Sequence, residues 1–84
     1  MPRFIAVHTA PFTEQQLKEM AKSSFPPGIS WHRTYCNFAD NKHFCEWEAP
    51  NKEAIEQIFR EKNVPVDTVY PVRLFDVATA TLES

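Results

Sequence analysis

The sequence predicts an α+β fold of the ferredoxin-like kind: βαββαβ, with a four-stranded antiparallel sheet and two helices on one face. Three observations predict it. The chain has 84 residues, room for one domain. Seven prolines and a single glycine cut it into short pieces. The apolar period along those pieces switches between the two residues of a strand and the 3.6 of a helix, in the order of the split βαβ motif.

The first piece, residues 3–9, is a strand. Phe4, Ala6 and His8 face one way and Ile5 and Val7 the other, so both faces are apolar, as in an interior strand. Pro11 ends it. Thr13 and Gln16 form a capping box for a helix with Leu17, Met20 and Ala21 as its apolar stripe. Phe12 stands before the cap, where it can staple onto Leu17. Phe25-Pro26-Pro27-Gly28 stops this helix. A hairpin follows. Ile29, Trp31, Arg33 and Tyr35 alternate with Ser30, His32, Thr34 and Cys36, and the return strand spans 42–48. A three-residue turn, Ala39 to Asn41, joins them, with Asn41 suited to a left-handed conformation. That turn, closed by Phe38 and Lys42, places Cys36 and Cys45 on opposite faces, and both thiols are expected to be free. A second helix starts at Asn51. Its stripe is Ala54, Ile55, Ile58 and Phe59, Glu56 and Arg60 form an i, i+4 pair, and Asn63 caps its end. The last strand covers 68–75, with Pro71 marking a sheet edge.

This topology gives the strand order 4-1-3-2. Both helices then lie on one face, yet the strands carry large apolar residues on both. A second copy of the chain is the expected cover, so a homodimer is expected. Residues 1–75 form the domain. Residues 76–84 are a tail expected to cross the partner or to stay disordered.

Composition narrows the function. At 43% apolar and 24% charged residues the chain is globular rather than disordered. A net charge of −2, with no Lys/Arg block, argues against nucleic acid as a partner. No apolar run approaches the roughly 20 residues needed to cross a membrane. The opening segment is too short for a secretory signal, and two cysteines without a Cys-x-x-Cys pair fit reduced thiols in the cytoplasm.

Chemistry-bearing residues are few. Strand 1 runs antiparallel to strand 3, which brings His8 close to His43, with Cys45 two residues along on the same face. Imidazole and thiolate together suit nickel, zinc or copper. The plainer reading has each histidine and Cys45 simply packing. Trp31, Tyr35, Trp47 and Tyr70 read either as walls of a small apolar ligand pocket or as core and interface. Glu46 and Glu48 share a face but lack a cleft. No phosphate loop, nucleophile elbow or His-Glu-x-x-His motif is present, which argues against an enzyme.

Met1 to His8 (Met-Pro-Arg-Phe-x-x-Val-His), Lys42 to Pro50 (Lys-x-Phe-Cys-x-x-Glu-Ala-Pro) and Pro65 to Val72 (Pro-x-Asp-x-Val-Tyr-x-Val) resemble one family. It is a small bacterial domain-of-unknown-function family (domain of unknown function 4242) that includes nickel-responsive proteins. The resemblance covers the chain up to about Phe75. It implies a ferredoxin-like fold, a homodimer and, in some members, nickel binding. His8, Cys45 and Tyr70 stand where the family has His, Cys and Tyr, and with His43 they make the candidate metal ligands. The family's His-Glu-x-x-Gly-His-Pro stretch reads Phe59 to Pro65 here, with Phe59 and Val64 in place of both histidines. His43 and His32 are the candidate substitutes. Two functions follow: a non-enzymatic nickel-binding dimer, or a small-molecule-binding or oxygenase-like relative of the dimeric α+β barrels, which share this fold.

Overall fold

The computed structural model describes residues 2–83; Met1 and Ser84 lie outside them. In chain order the elements are β1 (Arg3–Thr9), α1 (Glu14–Ala21), β2 (Ser30–Asn37), β3 (Lys42–Glu48), α2 (Lys52–Glu61), β4 (Thr68–Val72), β5 (Leu74–Asp76) and β6 (Thr81–Glu83). The first four strands make one sheet in the order β2-β3-β1-β4, with every described pair antiparallel. This is the expected ferredoxin-like architecture.

Strand parity sorts the sheet into two faces. Phe4, Ala6 and His8 of β1, His43, Cys45 and Trp47 of β3, and Val69 of β4 are buried. Ile55, Ile58 and Phe59 of α2 are buried with them, so this is the helix-covered face. Trp47 is its centre. Phe25 and Phe59 meet its ring edge-on at 5.3 and 5.5 Å, and Trp31 stacks on it at 5.8 Å. Two buried rings, Trp47 and Phe59, and two partly buried ones, Phe25 and Trp31, supply a large share of the apolar area a chain this short can bury.

Both helix starts follow the sequence. Thr13 Oγ1 accepts from Gln16 N–H and Gln16 Oε1 accepts from Thr13 N–H, which closes the capping box. Asn51 caps α2 by accepting from Ala54 N–H. At the other end of α2 the cap residue is Lys62, and Asn63 follows in the left-handed region at φ 55°. Val64 N–H then reaches Phe59 O and Asn63 N–H reaches Arg60 O, a Schellman closure. The Glu56–Arg60 pair does not form. Arg60 donates to Gln57 instead, and Lys52 pairs with Glu56.

Three features depart from expectation, the first two because turn bonding and side-chain burial override simple alternation. First, Asn37 rather than Phe38 pairs with Lys42, so four residues form the hairpin loop. Asn37 Oδ1 accepts from Asp40 N–H and holds the loop, while Asn41 adopts φ 54° as expected. Second, the ladder slips between Trp31 and Arg33, leaving His32 in a β-bulge. Strict alternation would put Trp31 and Arg33 on one face. The bulge lets Trp31 turn inward onto Trp47 while Arg33 pairs with Glu46 on the other face. Beyond the bulge Thr34 opposes Cys45 and Cys36 opposes His43. Both sulfurs therefore belong to the helix-covered face, not to opposite faces, and both thiols are free. Third, the last strand breaks after Val72. β5 and β6 form a separate two-stranded ribbon whose turn places Ala80 at φ 53°. The described part of the tail lies in this hairpin, where the expectation is either extension of the last strand across a partner or disorder.

The other sheet face carries Arg3, Ile5, Val7, Arg33, Tyr35, Phe44, Glu46, Glu48, Tyr70 and Val72. No helix of the described residues covers it. Tyr35, Phe44 and Tyr70 are exposed there. Arg3 pairs with Glu46 and Glu48.

Candidate functional site

His8 and His43 face each other across β1 and β3. Both are buried in a setting of rings. Phe12, just before α1, packs on both imidazoles, at 5.4 Å from His8 and 5.0 Å from His43. Phe59 of α2 meets His8 edge-on at 4.9 Å, and Phe38 of the hairpin loop meets His43 at 5.4 Å.

One hydrogen bond fixes the His8 tautomer. His8 Nδ1 lies 2.7 Å from Pro65 O. A carbonyl can only accept, so Nδ1 carries the proton and Nε2 of the neutral ring is a lone pair. That Nε2 has no hydrogen-bond partner, and neither has Nδ1 or Nε2 of His43. Buried polar atoms are nearly always satisfied, so three orphaned nitrogens at one place are unusual. Burial is the chief influence on His8 and holds its pKa below the ordinary value. The Pro65 carbonyl pulls it up, His43 pushes it down, and Asp67 pulls it up.

Cys45 sits two residues along β3 on the same face, but its surroundings suit a thiol. Burial pushes its pKa up to about 11, against a hydrogen bond from Thr34. Thr34 in turn accepts from Trp31 Nε1. Tyr70 is not brought to the histidines. It opposes Ile5 on β1, so parity places it on the uncovered face. His32 is also apart. Its bulge position sets Nε2 2.7 Å from Glu48 Oε1, and this bond leads in lowering the Glu48 pKa. Among the described residues, no three His, Cys, Asp or Glu side chains converge on one point.

These donors fit a two-imidazole site rather than a closed cage. The fit rests on His8, whose Nδ1–H is held by a backbone carbonyl and whose Nε2 is free, the arrangement that orients a metal-binding histidine. The limit is set by Phe59 and Val64. Phe59, where the family resemblance has a histidine, lies against His8 and offers no donor.

A cleft of about 520 Å³ adjoins the pair, between α1 and the end of α2. Phe12 and Pro65 belong to both places: they line the cleft and touch His8. Phe12 is the one aromatic in the lining. Trp31 and Trp47 serve the core and Tyr35 and Tyr70 the uncovered face, so none of the four expected aromatics walls this cleft. Sequence reading missed it because its walls come from segments about 45 residues apart.

Fold and site together define a ferredoxin-like α+β protein with a buried histidine pair. The chain belongs to the SCO4226-like family of nickel-responsive proteins, whose family model matches residues 4–72. The crystal structure of SCO4226 from Streptomyces coelicolor A3(2) shares the fold, with a TM-score of 0.70 at 20% identity, covering 86% of this chain and 96% of that one. No curated protein sequence matches. Among the described residues no helix is long and apolar enough to cross a membrane.

Proposed function

We propose that this chain is a nickel-responsive homodimer in which His8 and His43 hold the ion. The observation that carries this reading is the bare Nε2 of His8, fixed by the Pro65 carbonyl and buried opposite His43. Imidazole nitrogens suit nickel, and membership of a nickel-responsive family supports that metal over its neighbours. When bound, the ion would draw charge from both rings and satisfy nitrogens that are otherwise orphaned. Cys45 joins the set only if the ion lowers its thiol pKa from about 11. Tyr70 takes no part within one chain; its face is the one assigned to the partner subunit.

Calorimetric titration of metal-free protein with nickel tests the site. His8→Ala and His43→Ala should each weaken binding by about tenfold or more, since losing a ligand should cost at least what losing an outer-shell partner does. His32→Ala should change little, because it lies in the β2 bulge, opposite the end of β3 remote from His43. No binding by the wild type, or equal binding by wild type and His8→Ala, removes the assignment.

A further inference from the structure

The cleft between α1 and α2 asks for an occupant of its own. Its walls are Phe12, Leu17, Met20, Val64 and Pro65, and its volume falls within the range of small-molecule sites. The apolar stripe of α1 explains why it stays open. No residue of α1 is buried, and Leu17 and Met20 remain half-exposed along the cleft. An amphipathic helix normally sets such a stripe against the core. Here Met20 packs on the core cluster only in part, and Leu17 is not among the residues packed against it.

The rim carries a charge bias. Glu19 is engaged by Gln15 and Lys22 on its own helix. Lys62, on the opposite wall, has no carboxylate partner among the described residues and sits over the Phe25 ring at 5.8 Å. The cleft thus offers an apolar floor and one uncommitted cation. We infer that it binds a small molecule with an apolar body and a single carboxylate, the body on Phe12, Leu17 and Met20 and the carboxylate at Lys62. This site is separate from the proposed nickel ligands. It meets them at Phe12, whose ring packs on His8 and His43, and at Pro65, whose carbonyl accepts from His8, so occupancy should be felt at both imidazoles. The uncovered sheet face lies on the opposite side of the sheet from the cleft, so a partner subunit docked on that face would leave the cleft open.

Octanoate is the probe, with octanol and octylamine as controls, titrated into full-length protein in chelator so that no metal contributes. Chemical shifts of the backbone and of the histidine rings are followed. Octanoate should bind saturably, shift the His8 and His43 ring signals, and bind more tightly than either control. Lys62→Ala should cost octanoate about fivefold, the upper range for an exposed ion pair, and leave octanol unchanged. Met20→Trp should fill the cleft and weaken octanoate and octanol alike by about tenfold or more. If that variant does not fold, Ser23→Phe at the rim serves the same purpose. Three results each overturn the inference: no saturable binding, octylamine binding as well as octanoate, or binding untouched by the filling substitution. A concentration-dependent rise in mass that Met20→Trp abolishes would also overturn it, since a second copy would then be the occupant. Because the titration is metal-free, none of these outcomes bears on nickel.

Discussion

His8 is held neutral by its surroundings, and that has a consequence for stability. Its ring is buried among Phe12 and Phe59, with His43 opposite on β3 and the Pro65 carbonyl and Asp67 on the β4 side. The net effect of these groups is a pKa below the ordinary 6.5. In the unfolded chain the same ring takes a proton near 6.5, so below that pH the unfolded state binds more protons than the folded one. Stability from this residue is present above pH 6.5 and is lost as pH falls toward the depressed folded value. Urea unfolding of metal-free protein at pH 7.5, 6.5 and 5.5 should show falling stability, with a slope of at most about 1.4 kcal/mol per pH unit from this group. His8→Leu should flatten that slope, and an unchanged slope would show that His8 does not titrate on unfolding. The approach of His8 to His43 was legible in the sequence because antiparallel pairing and strand parity need only the element order. The same parity excludes Tyr70, since one residue's difference in register decides the face. The tautomer was not legible, because it depends on a carbonyl 57 residues away.

At the scale of elements, strong local signals predicted what formed. The capping box of α1, the Asn51 cap and the stripe of α2 each rest on residues within a few positions of one another. The bulge at His32 answers to a non-local demand, the stacking of Trp31 on Trp47 from another strand, and only the conflict between Trp31 and Arg33 two residues apart hints at it. The β5–β6 hairpin had still less signal. Its turn has no glycine, and Ala80 takes a left-handed conformation that costs about 1–2 kcal/mol in a residue with a Cβ. Its strands pair only with each other, and it begins beyond the family-matched segment, which ends at residue 72. The four-stranded sheet and its core owe it no ladder. Deleting residues 74–84 should therefore leave a cooperatively folding domain with near-native circular dichroism. Loss of the cooperative transition would show that the hairpin belongs to the core.

The whole molecule exposes more than its size calls for. Its accessible surface is 5541 Å², against roughly 5,200 Å² for a compact monomer of this mass. Its radius of gyration is 13.2 Å, against about 12 Å for a chain this long. The β5–β6 hairpin, with Leu74, Phe75, Val77 and Leu82 exposed, accounts for part of the excess. The uncovered sheet face adds Ile5, Val7, Tyr35, Phe44, Tyr70 and Val72 as one apolar surface. Its charges do not oppose burial, because Arg3 and Arg33 pair with Glu46 and Glu48 within the chain. A face both apolar and internally neutralised suits a second copy around a two-fold axis, since each subunit brings the same self-sufficient surface. Light scattering coupled to size exclusion at micromolar concentration should thus give twice the 9.8 kDa monomer mass. Phe44→Glu sets a new, unpaired charge in the middle strands of that face. It should yield a folded monomer, because each subunit of a dimer would bury that charge without a partner. Met20→Trp, on the opposite side of the sheet, should leave the mass unchanged. A wild-type monomer at micromolar concentration removes the homodimer outright. A Phe44→Glu dimer as tight as the wild type would instead move the interface off this face, to the hairpin with its exposed Leu74, Phe75, Val77 and Leu82.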